Sequence, residues 1–330
     1  GKQPAIRGID LLTYNSTTTW RDHAPERAIE WFNKYHGIPS LTWHWSVPSN
    51  EDDTEAYFYV ESANAQYTTF SISKALEEGT WEHEKLLADI DVIATELTKL
   101  KEADVPVLWR PLHEAEGAWF WWGADGAEPC KKLWHIMYNY FQERGLHNLI
   151  WVWNCQINDD EWYPGDEYVD IVGRDLYNYT ATPANDNDEG AKYNSASWSF
   201  EFMKTYYPHK MLTLSECGNS PMMTDMWAAG AKWLYAMPWY HYQYQMGQQH
   251  QWAGGDWWNN WFEMDNVITL DDMKTLRDQY LSNEPTTAIH SVKGDKTPAD
   301  ESWYSLLGQR IPRPTQCGIY IHQGKKTIIR

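Results

Sequence analysis

Apolar residues recur along this chain in two alternating ways: as short β-branched runs bounded by polar turns, and as longer stretches in which they return every three or four positions. Residues 6–14 form the first short run, ending in Asn15-Ser16-Thr17, and predict a strand followed by a loop. Pro25 then starts a helix carrying Ala28, Ile29, Trp31 and Phe32, which Gly37 stops. A second strand is predicted over 38–45, closing on Thr42-Trp43-His44-Trp45. The loop over 49–80 is acidic at first and aromatic later, and a connection of that length inside a compact domain usually serves function. Leu86, Leu87, Ile90, Ile93, Ala94, Leu97 and Leu100 predict an amphipathic helix over 84–103. The pattern continues with a strand at 105–109, a helix at 129–144 closed by Gly145, and strands at 149–153 and within 168–177. A helix within 191–207, a strand at 211–215, a helix at 221–229 and a strand at 231–239 follow, before closing loops and helices up to 280.

Regular alternation of strand and helix implies a parallel sheet, and with this many units the favoured fold is α/β: a (β/α)8 TIM barrel. Only seven strands are counted, so the chain is expected to lack or borrow its first β/α unit, which should lie before Gly1. A barrel with a gap leaves unpaired edges, and something should fill or cover it. The candidates are the pieces 318–322 and 326–329, residues trimmed from before Gly1, or a second copy of the chain, and a homodimer is favoured. From Asn283 the pattern is broken by Pro285, Gly294 and Pro298, with short β-like pieces beyond. Residues 1–282 are thus read as the barrel and 283–330 as a short β-rich tail.

Chemistry concentrates where the strand at 105–109 runs out: Trp109-Arg110-Pro111-Leu112-His113-Glu114-Ala115-Glu116-Gly117-Ala118-Trp119-Phe120-Trp121-Trp122-Gly123. In barrels of this kind catalytic groups sit at strand C-termini, so Glu114 followed by four aromatics reads as a carboxylate facing a sugar platform. The alternative is a structural glutamate among core tryptophans. A second strand ends the same way, in Leu214-Ser215-Glu216-Cys217-Gly218. Glycoside hydrolysis with retention needs two carboxyl groups, one to protonate the leaving oxygen and one to attack, and Glu114 and Glu216 supply them. Metal and cofactor chemistry finds no support in spacing: Gly117 and Leu87 stand where His113-Glu114 and His83-Glu84 would need a second histidine.

Composition sharpens this picture. A formal charge of -19 over 330 residues argues against nucleic acid and anionic membranes, and no apolar run is long enough for a membrane span. The chain opens at Gly1 rather than Met, which predicts trimming or processing. Cys130, Cys155, Cys217 and Cys317 have no metal-ligand spacing and read as free or buried thiols. The unusual feature is 22 Trp and 21 Tyr against 8 Phe, an excess of aromatics with a polar edge that suits carbohydrate surfaces, although many must serve as ordinary core.

The stretch 109–123, together with 214–218, Tyr163-Pro164-Gly165-Asp166-Glu167-Tyr168-Val169-Asp170 and Trp43-His44, resembles glycoside hydrolase family 26, chiefly endo-β-1,4-mannanases. The resemblance runs from about Ile6 to Trp261. It implies Glu114 as acid/base and Glu216 as nucleophile, ending the family's fourth and seventh strands; here they end the third and sixth. It further implies that Tyr177 hydrogen-bonds the nucleophile, that His44 and His113 line the sugar subsite beside the scissile bond, and that Trp119 and Trp239 stack on sugar there. Trp162 is placed with these substrate-binding residues. Arg110 is expected to prop the carboxylates and lower the pKa of Glu216, while Glu114 must start protonated. The implied substrates are β-mannan polysaccharides or manno-oligosaccharides. A glycanase for mixed-linkage β-glucan or xylan on the same fold, or a non-catalytic mannan-binding protein, remain as alternatives. Trp-Tyr-x-Leu-x-Gly-x-Arg from Trp303, then Gly318-Ile319-Tyr320-Ile321 and Gly324-Lys325-Lys326, resembles the C-terminal sorting modules of proteins secreted by Bacteroidetes, which implies a secreted, cell-surface or periplasmic location.

Overall fold

The computed structural model describes residues 1–157, 159–239, 255–282, 303–304, 310–313, 318–322 and 325–329. Seven short apolar runs lie side by side and run the same way: β1 (Ile6–Asp10), β2 (Ile38–Thr42), β3 (Val107–Arg110), β4 (Leu149–Cys155), β5 (Ile171–Tyr177), β6 (Met211–Gly218) and β7 (Ala236–Pro238). Their order in the sheet is their order in the chain and each pairing is parallel. The connections carry α1 (Ala24–Asn33), α2 (Ile72–Ala75), α3 (Trp81–Glu102), α4 (Trp121–Ala124), α5 (Ala127–Glu143), α6 (Glu189–Tyr193), α7 (Ala196–Tyr206) and α8 (Met223–Ala228); α9 (Gly255–Phe262) and α10 (Leu270–Ser282) follow β7. Among the described residues this is a nearly closed (β/α) barrel of seven strands, the number counted in the sequence.

The period-two geometry of a strand explains why these runs are apolar on both sides. One set of positions, including Ile9, Leu41, Val107, Trp109, Trp151, Val172 and Leu214, packs with Leu86, Ile90, Ile93, Leu133, Met137 and Phe141 of the helices in the main core. The alternate set begins with a separate cluster of Leu108, Val152, Ile171 and Tyr235, joined by Ile6 and Ile38. Two or four residues further along the same strand faces the side chains turn polar: Asp10, Thr42, Arg110, Asn154 and Asp175. The barrel is therefore plugged with hydrocarbon at one end and lined with polar groups at the C-terminal ends of its strands, where barrel sites form.

Among the described strands, β1 and β7 each pair on one side only. The interior between them is partly filled, because the Met237 sulfur lies 2.6 Å from where a Cβ on Gly8 would stand. The expectation that 318–322 or 326–329 completes the barrel is corrected. Those residues fall in β10 (Gly318–His322) and β11 (Lys325–Ile329), which pair antiparallel with each other, and with β8 (Trp303–Tyr304) and β9 (Arg310–Ile311) form a separate four-stranded sheet. The chain divides into two compact units, Gly1–Arg277 and Asp278–Arg330. The long loop at 49–80 is less open than its composition suggests: it holds α2 and bridges Val47 to Tyr57 and Tyr59 to Phe120.

The four aromatics after Glu114 also need correcting as a sugar platform. Phe120, Trp121 and Trp122 are buried, and only Trp119 is partly exposed. Trp121 donates its indole N–H to the Trp45 carbonyl, and Trp45 donates to Asp89, a fully buried carboxylate on α3. These indoles hold the loop from behind. Cys130, Cys155 and Cys217 are free and buried; Cys317 lies outside the described residues.

Candidate active site

Every barrel strand delivers a polar or aromatic group to one end of the barrel. Arg110 is the last residue of β3, and its guanidinium, nearly buried, donates to Asp175 at 3.2 Å from β5 and to the Glu216 carboxylate from β6. Glu216 accepts a second bond, at 2.7 Å, from the hydroxyl of Tyr177, the last residue of β5. A register shift between β5 and β6 makes this possible: Arg174 pairs with Leu214, but Asp175 pairs with Glu216, leaving Ser215 as the extra residue. Bulges re-aim side chains in this way. Here it lets both Ser215 and Glu216 reach inward, Ser215 donating to Asp175 at 2.7 Å. Gly173 makes room, since a Cβ there would lie 2.4 Å from the Ser215 oxygen.

Glu114 stands just beyond β3 in the left-handed region (φ 52), as do Leu112 (φ 50) and Ala118 (φ 56) in the same loop. Non-glycine residues pay for that conformation and keep it only where neighbours enforce it. The Glu114 backbone N–H donates to Asn154 Oδ1 at 2.7 Å, Asn154 donates onward to Ser215, and the buried Trp122 donates to the His113 carbonyl at 2.8 Å. The Glu114 carboxylate accepts from the Trp119 indole at 3.0 Å. Trp119 itself folds over Gly117, where any Cβ would collide with its ring.

Glu114, Asp175 and Glu216 bring one carboxylate oxygen each to within 4.8 Å of one another. Three carboxyl groups share the one guanidinium of Arg110, so they cannot all ionise cheaply. Burial and the nearby Asp175 and Glu216 push Glu114 well above the usual carboxylate range. Burial and Asp175 push Glu216 up to about 7, against the pull of Arg110, Tyr177 and His44. Arg110 does act on Glu216 in the expected direction, but the expectation of a net lowering is corrected, because desolvation outweighs it. The order still separates the two groups: Glu114 is the one to hold a proton while Glu216 ionises. Arg110, with its single positive charge, pairs with two of the three carboxyl groups, Asp175 and Glu216.

His44, two residues past β2, and His113 meet across the same space with ring nitrogens 3.2 Å apart. His113 is buried, and desolvation with Arg110 and His44 nearby holds it neutral, well below the usual histidine range. Trp239, just past β7, has its ring centroid 5.8 Å from that of His44, and Phe58 of the long loop lies 5.0 Å away. The structure thus gathers Glu114, Glu216, Arg110, His44, His113, Trp119, Tyr177 and Trp239 at one end of the barrel. Trp162 is not brought into hydrogen-bond or ring contact with the carboxylates; it closes a short turn after β4 (Asp160–Trp162) and packs half-buried against the core. Asp175, Asn154, Ser215 and Asp10 escaped the sequence reading, although each is a polar residue inside or ending an otherwise apolar strand, which is the signal that would have found them.

A barrel that converges a carboxyl pair at this spacing on its strand ends has the arrangement that cleaves glycosidic bonds with retention. The comparison with known proteins is specific: over residues 1–265 the chain matches glycosyl hydrolase family 26, and it belongs to that family. It is 39% identical over 248 residues to mannan endo-1,4-beta-mannosidase B of Piromyces sp, covering 72% of this chain and 39% of that protein. With the mannan endo-1,4-beta-mannosidase of Thermothelomyces thermophilus it shares 34% identity over 283 residues, 84% of this chain and 55% of the relative. The chain therefore spans between two fifths and just over half the length of these curated relatives. The family 26 domain of an endo-beta-mannanase/endo-beta-glucanase from Prevotella bryantii superposes with a TM-score of 0.68 at 35% identity, covering 83% of this chain and 84% of that one. A beta-mannanase from a protist symbiont of the termite Reticulitermes speratus, solved with gluco-manno-oligosaccharide, gives 0.68 at 34% identity over 83% and 81% of the two chains.

Proposed function

We propose that this chain is a retaining endo-β-1,4-mannanase acting on mannan, glucomannan or galactomannan. The observation that carries the reading is the carboxylate separation: the Glu114 and Glu216 oxygens approach within 4.8 Å, near the roughly 5–5.5 Å of retaining enzymes and well short of the 6.5 Å or more that inversion needs for its water. Glu216 attacks the anomeric carbon as Glu114 protonates the leaving oxygen; Glu114, now ionised, then draws a proton from the water that hydrolyses the glycosyl-enzyme. Arg110 and Tyr177 hold Glu216 along its attack path, and Trp119 holds Glu114. His44, His113 and Trp239 wall the sugar beside the scissile bond. The relatives' shared name supports mannan as substrate. The Prevotella bryantii protein from which the matched family 26 domain comes is named for both mannanase and glucanase activity, and mixed-linkage glucan is the second substrate to try.

Reducing-sugar release from mannan, glucomannan, mixed-linkage glucan and xylan tests the substrate, and proton NMR of the first product tests retention. Mannan should be cleaved with the β-anomer appearing first. An α-anomer would refute the mechanism, and silence on all four glycans would favour a non-catalytic binder. The barrel and tail are read as 1–282 and 283–330, and the sorting-module motif supports a secreted or surface-held protein. Fusing 283–330 to a reporter in a Bacteroidetes host, and finding it retained inside the cell, would remove that support. The one-sided pairing of β1 and β7 supports association with a second copy, which sedimentation would show as a dimer.

A further inference from the structure

The carboxylate that ends β1 has no part in the scheme above, yet it grips a residue that does. Asp10 Oδ1 accepts from the His44 backbone N–H at 3.1 Å, and its other oxygen bonds the His44 ring at Nδ1. The second ring nitrogen of His44 lies 3.2 Å from Nε2 of His113, with the rings edge to face at 79°. His113 Nδ1 lies 3.5 Å from Thr42 Oγ1, and the Thr42 hydroxyl is 3.0 Å from the Arg110 carbonyl oxygen.

Counting protons along this chain fixes where each one sits. A carbonyl only accepts, so the single Thr42 hydroxyl hydrogen goes to Arg110. Thr42 Oγ1 is then an acceptor, and His113 Nδ1 must carry the hydrogen that it accepts. His113 is neutral, for it is buried and flanked by Arg110, so its Nε2 is bare. Two facing nitrogens need one proton between them, and it must come from His44 Nε2. His44 Nδ1 shares another with Asp10, so the His44 ring holds two.

We propose that Asp10 is a positioning residue: by holding His44 as an imidazolium it locks His113 in the Nδ1–H form and sets a second positive charge, beside that of Arg110, next to the Glu216 carboxylate. The effect on the reaction rests on the reading of Glu216 as nucleophile; the proton placement does not. Among the described residues, the charged and titratable groups facing the histidine pair are Asp10 from β1, Arg110 from β3 and Glu216 from β6. Phe58, Phe120 and Trp239 face it without charge.

The test is long-range proton–nitrogen NMR on protein labelled with ¹⁵N-histidine at pH 7, with His44→Gln and His113→Gln used to assign signals. The unmodified protein should show His44 protonated at both nitrogens and His113 at Nδ1 alone. In Asp10→Asn, His44 should hold one proton and His113 should change tautomer. With manno-oligosaccharide as substrate, the acidic limb of kcat/KM should move up by about one pH unit, a tenfold loss on that limb. A singly protonated His44 in the unmodified protein, a His113 proton on Nε2, or an unmoved acidic limb in Asp10→Asn would each overturn the proposal. The spectrum of the unmodified protein decides the charge state even if Asp10→Asn does not fold. Because that spectrum needs no substrate, inactivity on every glycan would count against the mannanase reading alone.

Discussion

Replacing Asp175 by Asn removes one charge from the centre of the carboxylate cluster while keeping the shape of the side chain. Asp175 raises both Glu114 and Glu216, so both should become stronger acids in the variant. Oxygens within 4.8 Å of one another, at an effective dielectric near 20, repel by about 3.5 kcal/mol, which corresponds to about 2.5 pH units. Arg110 also loses one of its two charged partners, so its charge acts more fully on Glu216, which lowers that group further. The assay is kcat/KM on a soluble manno-oligosaccharide across pH, whose limbs report the free enzyme's base and acid. In Asp175→Asn both limbs should slide to lower pH, the alkaline limb by about 1–2 units, so that the variant loses most activity where the parent is still fully active. Ser215 and Arg110 lose one good hydrogen bond between them, and this loss should lower the peak without moving the limbs. An alkaline limb that stays put, or moves up, would show that Asp175 does not hold the proton on Glu114.

Tyr177→Phe deletes a 2.7 Å bond to the Glu216 carboxylate, worth about 1.5–3 kcal/mol when one partner is charged. Glu216 should then titrate higher, and the acidic limb should rise by about one unit in the same assay. Glu216→Ala should cut turnover by about 10⁴-fold or more while the fold, followed by circular dichroism, is kept. Glu114→Ala should spare the first step for aryl mannosides with good leaving groups; equal losses with good and poor leaving groups would reassign the acid/base. Asp159 tests a site apart from the chemistry: burial pushes it up to about 7, so the folded protein holds a proton that the unfolded chain releases near 4. Its stability contribution is full below about 4 and lost as pH rises through 7, by up to ~4 kcal/mol. Asp159→Asn should therefore gain thermal stability relative to the parent between pH 5 and pH 8, and a pH-independent difference would contradict that.

The fold was legible because both of its periods are written plainly. Strand runs such as 149–153 are apolar on both faces, and the helix at 84–103 repeats every three to four residues, so element type and order could be read with boundaries off by a few positions. Glu114 and Glu216 were legible for the same reason, as carboxylates where an apolar run stops. What stayed hidden depends on register. Nothing local marks Ser215 as a bulge, yet it is the bulge that sets Glu216 opposite Asp175. The indoles were misjudged because Trp122 next to a catalytic loop looks the same in sequence whether it meets sugar or, as here, lies buried and donates to the His113 carbonyl. The helix read within 191–207 is α7, and the sequence reading missed the short α6 before it, whose N-terminus Asp188 caps through the Ala191 N–H.

The loop between β3 and α4 shows why such a site needs so much buried indole behind it. Leu112, Glu114 and Ala118 all take the left-handed conformation, and none of them is a residue that adopts it freely, so each costs about 1 kcal/mol or more. That cost is repaid by contacts made from outside the loop. Asn154 of β4 takes the Glu114 N–H, Trp122 takes the His113 carbonyl, and Trp121 ties the following helix to the Trp45 carbonyl. The consequence is a Glu114 carboxyl whose position is set by a neighbouring strand rather than by its own loop. Its distance from Glu216 then depends on one barrel wall, through Asn154, Ser215 and Asp175. A retaining enzyme needs that distance constant through two chemical steps in which Glu114 changes from acid to base. Anchoring both carboxyl groups to adjacent strands is how this chain keeps it.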